Sequence, residues 1–467
     1  MLGRLQDGLF RPVDVASLAV FRVLFGAIML WEAARYYAYD WIGHYSLPSI
    51  MFKYYGFGWV QPWPGEGLYW HFGGLAVLAI LIMIGAFYRL AMILFFFAFT
   101  YVFLLDQANY LNHLYLVCVV SALMCVLPAN RAFSVDARLW PLGRGDTVPA
   151  WSVWALRIQF EIMLVYAGLV KLNPDWLALQ PLESWLGNKA ELPVLGLLYS
   201  QQWVIAIAAY GVIALHLIGA PLLFWRRARR YVFVVYVCFH VSNHFTFSIG
   251  IFPWFTIAGT LMFFDPAWPR QLWRWLGRSR DSDNARGIER ANVLADSRER
   301  RRGPAPMAHQ KFLVLGGLAI WFAVQSLMPL RHYLYPGDVN WTEEGYRFSW
   351  RMMLRSKPST AIFFVTDPKT GKTWQVDPRS YLYPKQNRKM PMQPDMILQF
   401  AHHLATTWEQ KYEIPNVEVR ATVRAALNGR EPKLLVDPRR DLTKERRTLD
   451  HVDWLMPFPG PLVDTGK

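Results

Sequence analysis

The side chain best placed to do chemistry stands at the end of an apolar stretch. Lys171 follows the run Leu164–Val170, so its stem leaves a predicted spanning helix where that helix ends. A lysine acts as a base only when it is neutral, and burial in apolar surroundings lowers its pKa toward that state. The alternative is a lysine that anchors a helix end by extending its ammonium to the membrane surface. The pattern alone favours the anchor, because lysines are common at the ends of spans.

Other polar residues gather at the same end of neighbouring predicted spans. They are Asp106, Asn109, Asn112, His113, Asn173, Asp175, Trp176, His240, Ser242, Asn243 and His244. Ionisable groups at membrane depth are costly and usually face a protein interior or a cavity. Because several spans converge on this layer, we expect these residues to share one site with Lys171.

Histidines and an asparagine in this layer have specific possible roles. His113 can donate or accept a hydrogen bond and so orient a substrate hydroxyl or a base; the alternative is an interfacial histidine bonded to a loop carbonyl. His240 and His244 have the helical i, i+4 spacing that can hold a metal ion, but no third ligand stands nearby, so we predict no metal site. Asn243 can donate to a carbonyl or an oxyanion, or it can simply cap its helix.

The composition indicates that lipid is a solvent for this chain. Of 467 residues, 54% are hydrophobic and only 18% are charged, whereas soluble proteins carry about 25% charged residues. The net charge of +15 does not indicate nucleic-acid binding, because basic residues cluster beside apolar segments, as in 226–230, where they set topology and contact anionic headgroups. The three cysteines lie in apolar stretches and predict no disulfide. The first apolar stretch predicts a signal anchor that stays in the membrane.

Apolar stretches close to the length of about 20 residues needed to cross a bilayer recur along the chain. We predict about nine crossings, near 16–35, 72–88, 89–105, 113–128, 153–171, 203–225, 231–247, 248–264 and 311–330. The predicted fold class is an all-α polytopic membrane protein with a small C-terminal extramembrane α+β domain. Its predicted parts are a transmembrane domain (1–264), a basic linker (265–310), a final transmembrane helix (311–330) and the α+β domain (331–467).

Shorter patterns predict local structure. A tight helical hairpin is expected to turn at Arg89, and the stretch 231–264 to bend between Ser242 and Gly250. Arg157 and Glu161 have the i, i+4 spacing of a structural ion pair. Within the C-terminal domain the patterns predict a strand hairpin over 361–377, a helix over 393–412 and a second hairpin around Asn428–Gly429.

The distribution of basic residues predicts the topology. Arginines concentrate in alternate connections, in 129–152, 226–230 and 265–310, whereas the intervening connections carry only Lys53, Lys171 and Lys189. The positive-inside rule then places the arginine-rich connections in the cytoplasm and the C-terminal domain outside it. The linker over 270–306 is expected to be flexible.

The sequence resembles the vitamin K-dependent gamma-glutamyl carboxylase family, whose membrane portion is called the HTTM domain. The resemblance covers about 11–400 and rests on long, ordered motifs. These are Ala16–Gly26, Tyr101–Asp106, Asn112–Tyr115, Ser134–Asp136, Gly168–Trp176, Phe239–His240 with Asn243, Phe247–Phe252, Asn340–Thr342, Tyr346, Ser349–Trp350 and Met352–Met353.

The resemblance implies a reaction and a set of roles. Members of the family oxygenate reduced vitamin K to its epoxide and use the basic intermediate to remove a proton from glutamate Cγ, after which the carbanion takes up CO2. Lys171 matches the family's active-site lysine and would deprotonate the hydroquinone, while His113 would position or stabilise the intermediate. His240 and Asn243 match further polar pocket residues. The set predicted to bind the quinone also includes His244, Asn112, Asp106 and Trp176.

The implied cofactors and partners follow from that reaction. They are reduced vitamin K, O2 and CO2, a lipid bilayer, and a secreted protein or peptide that contains glutamate. The resemblance also suggests a bacterial inner membrane, or the endoplasmic reticulum in a eukaryote.

Two departures from the family pattern leave alternatives open. Animal carboxylases have a double lysine where this chain has Val170–Lys171, and they carry a longer lumenal region. Both departures bear more on protein carboxylation than on hydroquinone oxygenation. The alternatives are therefore a quinol epoxidase that does not carboxylate protein, and a non-catalytic maturation or assembly factor of the membrane.

Overall fold

The computed structural model describes residues 2–45, 47–189, 191, 193, 195–277 and 307–460, most of them helical. In chain order the α-helices are α1 (Leu2–Phe10), α2 (Ala16–Ala38), α3 (Gly67–Ile84), α4 (Tyr88–Leu105), α5 (Asn112–Val126), α6 (Val135–Leu139), α7 (Ala150–Leu169), α8 (Pro174–Leu177), α9 (Leu182–Gly187), α10 (Leu195–Tyr199), α11 (Gln202–Ala214), α12 (Ala220–Leu222), α13 (Arg229–Phe247), α14 (Phe252–Leu261), α15 (Trp268–Gly277), α16 (Ala308–Leu327), α17 (Val339–Thr342), α18 (Pro384–Lys389) and α19 (Pro394–Tyr412). The strands are β1 (Pro12–Asp14), β2 (Thr147–Pro149), β3 (Ser359–Thr366), β4 (Thr373–Val376), β5 (Glu418–Ala425) and β6 (Lys433–Leu434).

Six helical segments of the described chain are long and apolar enough to cross a membrane, as expected for a multi-pass membrane protein. They are Ala16–Ala38, Gly67–Ile84, Tyr88–Leu105, Ala150–Leu169, Gln202–Leu222 and Ala308–Leu334. The other three predicted crossings are helical but do not reach this standard. Helix α5 has 15 residues and α14 has ten, whereas α13 begins with two arginines and carries two histidines in its C-terminal part. The predicted number of nine crossings is therefore not confirmed.

The hairpin between α3 and α4 turns earlier than predicted. The chain reverses over Gly85–Phe87, and not at Arg89, because Gly85 adopts φ +68° in a place where a Cβ would collide with the Arg22 guanidinium. The Asp136 carboxylate then caps α4 by accepting hydrogen bonds from the backbone N–H groups of Phe87 (2.7 Å) and Tyr88 (3.0 Å). The bend predicted within 231–264 falls at Ser248–Ile251, between α13 and α14.

The C-terminal domain has the predicted α+β character. An antiparallel sheet of order β4-β3-β5-β6 packs against α19, and Phe363 and Phe400 form an edge-to-face pair at the centre of their shared core. Both predicted hairpins and the predicted helix are confirmed. Asn428 and Gly429 both have positive φ, which bends the chain after β5.

The C-terminal domain is fastened to the helical bundle by buried polar contacts. Arg430 makes a bidentate pair with Asp175, with both N–O distances 2.7 Å, and Asn428 Nδ2 donates to the same carboxylate. Gln386 Nε2 donates to Asp106 at 2.8 Å. Packing crosses the predicted boundary at 331, because Trp350 belongs to the core of the bundle.

The linker departs from the prediction in its first part. Trp268–Gly277 forms α15, whereas a flexible segment was expected from residue 270. The remainder of that prediction, 278–306, lies outside the described residues. The side chain of Arg270 helps to hold this region, because it pairs with Asp14 at 3.0 Å and with Asp146 at 2.8 Å.

Candidate active site

Lys171 lies two residues beyond the end of α7, against the helix that follows α11. Residues Leu215–Gly219 form one π-helical turn between α11 and α12, a feature found often at functional sites. A Cβ on Gly168 would stand 2.8 Å from the Cβ of His216, so only glycine allows α7 to approach this turn so closely. That close approach brings Lys171 beside the π-helical turn.

The Lys171 amine is buried and has no carboxylate partner among the described residues. Its side chain is 4% exposed, and Nζ donates to the carbonyl of Ala167 at 2.8 Å and to that of Met352 at 3.1 Å. The ring of Trp176 lies 5.1 Å from Nζ. Burial lowers the pKa of Lys171 from 10.5 to about 7, so the amine is partly neutral near neutral pH.

Lys171 faces a cavity of about 190 Å³ whose wall is mainly apolar. The apolar wall consists of Ala167, Trp176, Leu182, Trp185, Leu186, Val204, Ala208, Val212, Phe239, Phe247, Ile249, Phe252, Met352 and Met353. The other polar residues of the wall are Tyr199, His216, His240, Ser242, Asn243 and Thr246. None of the lining residues is acidic, so the cavity presents bases and neutral polar groups in apolar surroundings.

His240 has unused hydrogen-bonding capacity toward this cavity. The side chain is 1% exposed, and neither ring nitrogen has a hydrogen-bond partner among the described residues. Its ring lies parallel to that of Tyr236, with centroids 5.9 Å apart. A buried imidazole normally has a partner, so a ligand in the cavity is the natural candidate.

His216 was missing from the predicted site. Nδ1 lies 2.8 Å from the carbonyl of Val212, an acceptor only, so Nδ1 carries the proton and Nε2 is left as an acceptor. His216 and Lys171 are close enough to interact electrostatically. A signal was available in the sequence, because a histidine in the middle of an apolar span is a candidate functional residue by itself.

His113 lies next to the cavity but does not line it. The ring of Phe252 packs against both His113 and His240, with centroid distances of 6.0 Å and 5.9 Å. His113 was predicted to share one site with Lys171, but only Lys171 of the two lines the cavity.

The remaining predicted site residues have three different surroundings. Trp176 and Asn243 line the cavity, and the indole N–H of Trp176 donates to the carbonyl of Ala209 at 3.0 Å. His244 is outside the cavity wall and packs edge to face on Trp254. Asp106 and Asn112 instead bind the C-terminal domain, through Gln386 and through the carbonyl of Arg351.

The covering segment Gly345–Leu354 reaches the cavity from the C-terminal domain, and its Met352 and Met353 form part of the cavity wall. Phe348, Trp350 and Met353 all have positive φ (+61°, +54° and +46°), a conformation that costs energy for non-glycine residues and concentrates at functional sites. Asn112 and Lys171 hold the segment by donating to the carbonyls of Arg351 and Met352. Lys171 and the covering segment are therefore directly hydrogen bonded.

Together these features define a class: a multi-pass membrane protein with an apolar cavity that presents a buried amine and two imidazoles. Comparison with known families is more specific. The chain matches the HTTM domain over residues 10–268 and the vitamin K-dependent gamma-carboxylase lumenal domain over residues 310–460. No solved structure matches it significantly. The chain belongs to the vitamin K-dependent gamma-carboxylase family.

Proposed function

We propose that this protein is a vitamin K hydroquinone-dependent epoxidase that carboxylates glutamate residues of a protein or peptide substrate. The observation that carries the proposal is the placement of the Lys171 amine in an apolar cavity lined by His216 and His240, where it is buried and no described carboxylate pairs with it. A base that works on a lipid-soluble quinol needs such a desolvated setting.

The residues present fit a naphthohydroquinone. Aromatic and aliphatic side chains supply most of the wall, and His240 supplies two ring nitrogens that hydrogen bond to no described residue. When bound, reduced vitamin K reacts with O2 to give the epoxide and water, and it supplies the base that removes the glutamate Cγ proton before CO2 forms the new C–C bond.

The chain's own residues take three tasks in this proposal. Lys171 accepts a proton from one quinol hydroxyl, and the carbonyls of Ala167 and Met352 orient its Nζ. His216 Nε2 accepts the hydrogen bond of the opposite hydroxyl, and the N–H of the neutral His240 ring donates to the oxygen of that hydroxyl. Phe252 and the covering segment Gly345–Leu354 exclude water from the reacting groups, and His113 acts through its ring contact with Phe252.

The proposed setting is a lipid bilayer that supplies the quinone. The C-terminal domain would lie outside the cytoplasm, where a secreted substrate passes, and the arginine-rich 265–310 linker would lie inside. The domain division is proposed as in the sequence, with the helical part to residue 264 and again over 311–330, and the α+β part from 331.

Purified protein in lipid nanodiscs, given reduced vitamin K, O2, labelled bicarbonate and a glutamate-containing peptide, tests the proposal. Epoxide together with fixed label is the expected result. Epoxide without label would reduce the function to quinol epoxidation. Neither product, from protein that still binds a naphthoquinone, would favour a maturation or assembly role and reject the enzymatic one.

His216 gives a sharper test of how the hydroquinone is held. Replacing it by Phe removes the Nε2 acceptor but keeps a ring in the wall, so anaerobic affinity for a naphthohydroquinone should fall about tenfold, the typical worth of one buried hydrogen bond. Affinity for the oxidised quinone, which has no hydroxyl to donate, should stay nearly constant. Titration of both forms by tryptophan quenching measures the ratio.

Two further results define the limits of that test. Tyr199→Phe is the matched control, because the Tyr199 hydroxyl is already bonded to Thr246 at 2.7 Å within the same wall. It should leave the ratio of the two affinities unchanged. If His216→Phe weakens the quinone and the hydroquinone equally, His216 only shapes the cavity and the assigned hydrogen bond is wrong.

A further inference from the structure

Arg157 is a buried cation in the first half of α7, whereas Lys171 lies beyond the end of that helix. The predicted ion pair between Arg157 and Glu161 is wrong: Arg157 donates from Nε to the carbonyl of Met262 and from a terminal nitrogen to that of Phe264, both at 2.7 Å. Arg157 is 9% exposed and makes no ion pair with any described carboxylate. Fourteen residues of chain separate it from Lys171, which is about 21 Å along a helix.

Arg157 faces a cavity of about 300 Å³ that no step of the proposed reaction uses. Its wall includes Arg11 and the carboxylates of Asp14 and Asp265. The Arg11 guanidinium hydrogen bonds to no residue in the described part of the chain. Arg229 lies outside the wall but is close enough to act electrostatically on Arg157.

The two carboxylates do not neutralise these arginines. Asp14 already pairs with Arg270 at 3.0 Å. Asp265 accepts from the backbone N–H of Ala267 and forms no ion pair with a described residue. Because Arg270 also pairs with Asp146, the four arginines at 11, 157, 229 and 270 stand against the three aspartates at 14, 146 and 265, a local excess of one positive charge.

An excess of charge in a partly buried cavity is unfavourable unless an anion joins it. Phosphate oxygens suit it best, because guanidinium groups bind phosphate through paired N–H donors. The cavity lies where β1, the start of α7 and the residues after α14 meet. Helix ends of a membrane bundle lie near the level of lipid headgroups, where anionic phosphate is abundant.

We propose that the Arg11–Arg157 cavity binds a phosphate group, whether carried by a phospholipid headgroup or free in solution. Arg157 contacts the phosphate from the bundle and Arg11 contacts it from the chain segment before β1. Arg229 contributes through its charge. This site is independent of the quinone cavity, so its test does not depend on any enzymatic activity.

Full-length protein in a non-ionic detergent is titrated with dioctanoyl-phosphatidylglycerol, with inorganic phosphate and with dioctanoylglycerol, which lacks phosphate. Thermal unfolding and native mass spectrometry report binding. We expect the phospholipid to raise Tm and to form a one-to-one adduct, and dioctanoylglycerol to do neither. A response to inorganic phosphate as well identifies free phosphate as a ligand; a response to the phospholipid alone identifies the headgroup.

Arg11→Gln is the main variant, because Arg11 makes no side-chain hydrogen bond within the described protein and its loss should leave folding intact. It should weaken the phospholipid adduct about tenfold, as for one charge-assisted hydrogen bond. Arg157→Gln should weaken it further if that variant folds. Arg227→Gln, an exposed cation of the 226–230 run outside this wall, is the control. Equal loss in Arg11→Gln and Arg227→Gln, or no phosphate-dependent response in the unaltered protein, would overturn the proposal.

Discussion

Replacing Lys171 with methionine is expected to lower epoxide formation by 10²- to 10⁴-fold, the usual contribution of a general base. Methionine keeps the length and apolar character of the stem, so the cavity wall should remain closed. Lys171→Arg should be as inactive as Lys171→Met, because a guanidinium stays protonated and cannot accept the proton. Epoxide yield at saturating hydroquinone measures both.

The pH dependence of turnover carries the same expectation. Because the pKa of Lys171 is lowered by burial to about 7, the neutral and active form gains population as pH rises through 7. The rate should therefore rise about tenfold per unit below that pH and level off above it. Lys189→Met, at an exposed lysine in the loop after α9, should retain the full rate and the same profile. An active Lys171→Met protein would contradict the assigned base.

The sequence predicted the fold well where hydrophobic periodicity and turn-forming residues agree. Apolar runs located the long helices, and Asn428–Gly429 located the end of β5, because each is a local property of the chain. The turn before α4 was misplaced by a few residues. Its position depends on Arg22 and Asp136, which come from distant segments and leave no mark beside Arg89.

The site was predicted in part for a similar reason. Lys171, Trp176, His240 and Asn243 do line one cavity, as convergence of span ends suggested. Asp106 and Asn112 do not, because the C-terminal domain docks on that part of the layer and uses their polar groups. Spacing within one helix cannot show which tertiary partner a side chain will find, and Arg157 illustrates this because it binds the carbonyls of two residues just after α14 and not Glu161.

Glu343→Gln is expected to destabilise the C-terminal domain by about 3–5 kcal/mol, as for other buried ion pairs that lose one partner. The Glu343 side chain is 3% exposed and accepts from Arg355 at 2.6 Å and from Lys357 at 3.4 Å. Glutamine keeps the shape but leaves two buried cations without a counter-charge. Urea or thermal unfolding of the full chain in nanodiscs measures the loss.

The effect should depend on pH in a defined direction. Burial lowers the pKa of Lys357 to about 8, and the Glu343 carboxylate opposes that shift. Without Glu343 the pKa of Lys357 in the folded protein falls further. Lys357 is then neutral in the folded variant but protonated in the unfolded chain over a pH range that extends lower than in the unaltered protein. The destabilisation should therefore be larger at pH 6 than at pH 9. Glu418→Gln, which breaks the exposed pair with Arg420, should cost less than about 1 kcal/mol at either pH.

Glu343→Gln should also affect Lys171, the proposed base. Arg355 follows the covering segment directly, and that segment contributes the Met352 carbonyl that lies 3.1 Å from Lys171 Nζ. Releasing Arg355 from Glu343 should loosen the cover, which admits water and moves the pKa of Lys171 back toward that of a solvated amine. Glu343→Gln should therefore speed amide hydrogen exchange over 345–357 and shift the pH–rate profile upward. Faster exchange without any change in that profile would show that the cover does not control the base.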